Sequence, residues 1–101
     1  MKKIKLYDIC QKIGEIEEKL MYGEIEFSYD KLMSAMKCGH PAEILDDVLS
    51  IIGWDVFAGK EPPIEKVEET LEGLKKFQAT FKVNLKEIIK DMKAYLDEQG
   101  R

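Results

Sequence analysis

Apolar residues in this chain recur at steps of three and four. Leu6, Ile9, Cys10, Ile13, Ile16 and Leu20 form one such stripe. Ile64, Val67, Leu71, Leu74, Phe77 and Phe81 form a second, and Leu85, Ile88, Ile89, Met92 and Leu96 a third. Steps of this size keep returning to one side of a helix with about 3.6 residues per turn. Alternation by two, the signature of a half-buried strand, is confined to Ile25, Phe27 and Tyr29. A helix carrying one apolar stripe must bury it against another such stripe. The pattern therefore predicts an all-α fold.

Breaks in the pattern set the lengths. Gly23 is a natural stop for the first helix. A loop follows, with Ser28 as N-cap of a short helix that carries Leu32, Met33, Ala35 and Met36 and ends at Gly39. A short strand over Ile25–Tyr29 is the alternative there. Pro41 suits the first turn of a helix that runs to about Ala58, with Gly59 closing it. "KEPP" (60–63) is the clearest interruption, and Pro63 suits the start of the next helix. Asn84 is a good N-cap for the last helix, with Glu87 three positions on, and Gly100 ends it. Four or five helices on short connections make an antiparallel bundle, one domain over residues 1–101.

A chain of 101 residues suffices for one modest core. No run nears the roughly 18 apolar residues of a membrane span. "MKKIKLYDIC" begins basic, but Asp8, Gln11 and Lys12 interrupt any signal-peptide h-region, so a cytoplasmic protein is expected. Cys10 and Cys38 are then expected reduced, as core residues. "CGH" (38–40) offers two metal ligands, with no second cluster to complete a tetrahedral site. His40 is the sole histidine and sits in a turn, where a capping role is expected rather than general-base chemistry.

The net charge of −4 is unevenly spread. Residues 24–59 hold Glu24, Glu26, Asp30, Glu43, Asp46, Asp47 and Asp55 against Lys31 and Lys37 alone. Nucleic-acid contacts need clustered Lys and Arg, so that role is disfavoured. "YDKLMSAMKCGHPAEILDDV" has helix-turn-helix spacing, yet its second helix would carry three acids toward phosphate. A basic protein surface is the better match.

The acids themselves fall in two stripes. At ~100° per residue, Asp46, Asp47 and Ser50 lie within about 60° of Glu43, opposite Leu45, Val48, Leu49 and Ile52. Glu65, Glu68, Glu69 and Glu72 repeat the arrangement on the next helix, with Lys75, Lys76 and Lys82 behind them. Wet faces of amphipathic helices account for both stripes, helped by the dipole at each N-terminus. If the stripes faced each other across a cleft, their carboxylates would suit a hard cation such as Mg²⁺ bridging to phosphate oxygens.

On these residues the chain resembles the MazG-like all-alpha nucleoside triphosphate pyrophosphohydrolases, which carry an ExxE-type motif on one helix and an ExxD-type motif on a later one. "EILDD" looks like a loose form of the first motif. "VEETLEGLKKFQATFKVNLKEIIKDMKAYLDEQ" is similar in rhythm to the second motif helix and the closing helix. The resemblance covers about residues 29–99. Asp46 stands where the first motif has its second Glu. In the second motif Lys66 takes an acid's place, and Glu69 with Glu72 is recovered one turn on. The resemblance implies Mg²⁺ held by Glu43, Asp46, Glu69 and Glu72, with Asp47 and Glu65 next. It also implies cleavage of a nucleoside triphosphate between its alpha and beta phosphates, and a dimeric or tetrameric assembly.

Trp54 lies about 20° from Glu43 on the same wheel. A tryptophan on a polar face caps the core or anchors a partner. Phe57 falls nearer the apolar side. The leading expectation is a small acidic interaction module (a regulator, an inhibitor or an immunity-type protein) that needs no cofactor. Asp46, Asp47, Trp54, Asp55 and Phe57 are its candidate contact residues. The hydrolase is the alternative.

Overall fold

The computed structural model describes residues 5–28 and 40–99. Among them are four helices: α1 (Leu6–Met21), α2 (Pro41–Phe57), α3 (Ile64–Phe81) and α4 (Lys86–Glu98). The short helix expected after Ser28, its Gly39 stop, Cys38 and Gly100 lie outside the described residues. The described residues include no strand. Residues 24–28 run as an irregular segment in which Ile25 and Phe27 are half-buried against the core. That is why these two alternate with polar neighbours. The Ser28 N–H then donates to the Phe81 carbonyl at 2.8 Å, tying this segment to the end of α3.

Each helix packs on two others: α1 on α2 and α4, and α3 on α2 and α4. Side-chain pairs fix the directions. Tyr7 meets Phe57 at one end of the α1/α2 seam, and Glu17 meets Asp46 at the other, so these helices are antiparallel. Lys12 reaches Asp91 at 3.2 Å across the α1/α4 seam. The architecture is an all-α bundle with one core. Ile9, Ile13 and Leu20 of α1 interlock there with Leu45 and Ile52 of α2, Val67 and Leu74 of α3, and Met92 and Leu96 of α4. Thr70, buried in α3, returns its hydroxyl to the Lys66 carbonyl at 2.9 Å and leaves no polar atom orphaned. Where α2 meets α3, Gly73 faces Val48. A Cβ on that glycine would sit 3.0 Å from a Val48 methyl.

Both glycine stops work through the left-handed backbone. Gly23 adopts φ 73° and Gly59 φ 79°. At α1, the Glu24 N–H reaches the Lys19 carbonyl at 2.8 Å and the Gly23 N–H reaches Leu20 at 3.3 Å. At α2, Lys60 and Gly59 bond to Asp55 and Val56 in the same way, at 2.8 and 3.1 Å. These are paired Schellman closures, and they satisfy carbonyls the helix leaves open. At the start of α2, His40 Nδ1 accepts the Ala42 N–H at 3.0 Å with Pro41 at the first helical position. The histidine is a cap, as expected.

The α3–α4 corner departs from expectation. No glycine closes α3. Lys82 takes the left-handed conformation instead, at φ 58°, which a side chain adopts at some cost. Pro63 is the N-cap of α3, one residue before the first turn. The backbone N-cap of α4 is Leu85 rather than Asn84, although Asn84 Oδ1 still accepts the Lys86 N–H at 3.1 Å. The buried Leu85 N–H goes to Gln78 Oε1 at 2.6 Å, from the preceding helix. Gln78→Ala strands that donor, so it is expected to destabilise the bundle by about 1–2 kcal/mol. Gln78→Glu, which keeps an acceptor, is expected to cost less. Urea unfolding of the two variants checks this.

Candidate functional site

The exposed large apolar side chains of the described residues are not scattered. Tyr7, Trp54 and Phe57 lie at one end of the α1/α2 face, while Met21 and Tyr22 lie at the far end of α1. Trp54 is 81% exposed, Phe57 53% and Tyr7 47%. The Tyr7 and Phe57 rings stand edge to face at 5.5 Å and 81°. The Gln11 amide donates to the Tyr7 hydroxyl at 3.2 Å, one turn further along α1.

The reason is helical phase. Tyr7, Gly14 and Met21 are seven residues apart and share one side of α1. On α2, Asp46, Ser50, Gly53 and Phe57 follow steps of four, three and four along the flank turned toward α1. Trp54 stands just outside that flank. Leu49, at the edge of the core, floors the trench. Leu49, Gly53, Trp54 and Phe57, with Ser50 and Asp46, enclose a shallow, mainly apolar trench of about 250 Å³. Phe57 therefore belongs to the surface and not to the apolar side of α2. It occupies the last turn, where the chain leaves the core for the Gly59 closure.

The other end of the trench is acidic. Asp46 lies against Glu17 of α1. Partial burial, the Asp46 charge and a hydrogen bond to Asp46 together push the Glu17 carboxyl up to about 7. Glu17 is therefore partly protonated near neutrality. Glu17 escaped the sequence reading because it is one acid among many on α1. The signal was its phase: it follows Ile13 by four residues, at the edge of the buried stripe.

In the unfolded chain Glu17 titrates near its ordinary 4.5. Between that value and about 7 the folded chain keeps a proton the unfolded chain has released. Stability therefore falls as pH rises through this window. Solvent reaches this partly exposed pair and screens it, which holds the effect to about 1 kcal/mol. Glu17→Gln is expected to be more stable than the parent by about that amount at pH 8 and no different at pH 4. Urea unfolding at the two pH values checks this, and an equal difference at both contradicts it.

The remaining expected site residues divide as follows. Glu43 and Asp47 are exposed on the outward side of α2, near Trp54 in phase. Asp55 does not join them. It lies seven residues after Val48, on the arc that meets α3, and is half-buried. Glu65, Glu69 and Glu72 are exposed on α3. Glu72 pairs with Lys75, three residues on, at 3.3 Å. Asp46 meets an acid of α1, not one of α3. Among the described residues no group of three or more acidic, histidine or cysteine side chains comes within reach of one cation.

Cys10 is free and buried, and burial pushes its thiol up to about 11. That keeps it protonated and inert at neutral pH. Tyr95 donates to Glu61 at 3.4 Å, and burial, with the nearby carboxylate, raises its hydroxyl above the ordinary range. No helix of the described residues is long and apolar enough to cross a membrane. Comparison with known family models, curated proteins and solved structures finds no match to this chain.

Proposed function

We propose that this chain is a small helical binding module whose α1/α2 face docks a basic surface of another protein. The observation that carries the reading is the combination on one face: a solvent-exposed Trp–Phe–Tyr group at one end and a carboxyl pair at the other. Large aromatic side chains gathered on a surface mark interaction sites, because burying them on association is strongly favourable. Indole and phenol rings also lose little side-chain entropy when they are covered.

Charge supports the same face. The 17 residues of α2 include no lysine or arginine, and carry Glu43, Asp46 and Asp47 on or beside this face. Of the α1 lysines, Lys12 is turned away to Asp91 of α4. The acidic end around Glu17 and Asp46 would speed encounter with a basic partner and reject acidic ones.

The double charge reversal Asp46→Arg with Asp47→Arg tests the reading. Both side chains are exposed, so the fold should be kept. The variant is expected to lose at least about tenfold in partner affinity, mostly through slower association, with a weaker salt dependence than the parent. Reversal of Lys90 and Lys93 on the opposite side of the bundle should leave binding intact. Normal binding by the Asp46/Asp47 variant removes the acidic-face reading.

A further inference from the structure

The trench between the aromatic and acidic ends has a definite length and direction. It follows α2 from Asp46 to Phe57, eleven residues, or about 16 Å at 1.5 Å per residue. Its floor is made of small or recessed groups. Gly53 lies there with the Leu49 and Phe57 side chains 3.6 and 3.8 Å from where a Cβ would stand. On α1, beside the residues that line the trench, Gly14 falls between Tyr7 and Glu17. A Cβ added to it would meet nothing within 4 Å, so the space above it is open.

Resting on the docking reading above, we propose that the element received here is an amphipathic helix of the partner. It carries a large apolar side chain that seats between Trp54, Phe57 and Tyr7. A lysine or arginine eleven residues away on that helix meets Asp46 and Glu17.

Three features select this occupant. First, eleven residues are close to three full turns, so two anchors at that spacing fall on one side of a helix. They span the same 16 Å or so that separates the two ends of the trench. Second, the face is built of helices and presents no strand edge. An extended peptide would find no unpaired backbone groups to bond, whereas a helix lying in a groove needs only side-chain anchors. Third, the charge excludes the nearest alternative. A second copy docked through this face would offer Glu17 and Asp46 only another trench, whose lining holds no lysine or arginine to meet them. A cationic side chain instead relieves the repulsion between two carboxyls already held together.

The test is a selection from a displayed library of helix-favouring 18-residue peptides, using the intact chain as target. Enriched peptides are expected to share a large apolar residue and a Lys or Arg eleven positions apart. Their affinity should fall at least tenfold with Trp54→Ala, and at least tenfold with Asp46→Asn combined with Glu17→Gln. Moving the basic residue of a selected peptide by two positions should cost a similar factor. Circular dichroism of each variant confirms that it is folded. Enriched peptides that need Trp54 but lack a basic residue at this spacing overturn the helix-spacing proposal and leave the docking face standing. Peptides indifferent to both sets of substitutions, or no enrichment at all, overturn both.

Discussion

Trp54→Ala is expected to weaken partner binding by about thirtyfold, near 2 kcal/mol, and to leave folding stability unchanged. The separation of the two effects follows from position. The indole is 81% exposed, so the fold gains little from it. A docked partner would cover both of its faces and the adjoining Phe57 ring. Truncation removes that contact area and leaves a gap at the aromatic end of the trench. Phe57→Ala is expected to have a smaller binding effect and to loosen the Tyr7 contact as well. The check is a titration of the identified partner, paired with thermal unfolding of each variant. A Trp54→Ala chain that binds as the parent does, or that loses more than about 1 kcal/mol of stability, contradicts this assignment.

The largest stability loss is expected from Phe81→Ala. Phe81 is 1% exposed, stacks on Phe77 at 4.8 Å and ends α3 at the point where Ser28 bonds to its carbonyl. Removing the ring deletes its transfer energy and opens a cavity that rigid neighbours fill only in part. The expected cost is about 3–5 kcal/mol. Against a total stability of roughly 5–15 kcal/mol, this is a large fraction of what holds the chain folded. The melting temperature should fall by about 14–24 °C for a domain of this size. A loss under about 1 kcal/mol would mean that the α3 terminus and residues 24–28 do not close over the core.

Local patterns were readable where they depend on local chemistry. The helices of the described residues followed from the three-and-four spacing, because burying that face is the main gain from helix packing. Gly23 and Gly59 marked their closures because φ near 75° favours glycine. The close of α3 at Lys82 gave no such mark, since a lysine held in that conformation reflects the packing around it. The start of α4 was displaced by one residue for a related reason: Gln78, seven positions earlier, supplies an acceptor that no capping rule anticipates.

The site was partly legible. Helical phase placed Trp54 beside the acids, and it is indeed exposed there. Phase within α2 alone did not reveal which neighbour each flank meets. Helical phase groups Asp46 with Asp47, but packing sets it against Glu17 of α1. Sequence proximity groups Asp55 with Trp54, although consecutive residues point about 100° apart on a helix. Tyr7 was unremarkable in sequence until the antiparallel register of α1 and α2 brought it to Phe57.

The most direct test of the docking face is site-specific photocrosslinking with a benzophenone amino acid placed at position 54 or at position 90, followed by mass spectrometry in cells. A single heterologous adduct from position 54, absent from position 90 and lost on Asp46→Arg with Asp47→Arg, is the predicted result. Adducts from position 90 alone, or from position 54 with no dependence on the two aspartates, would contradict the account.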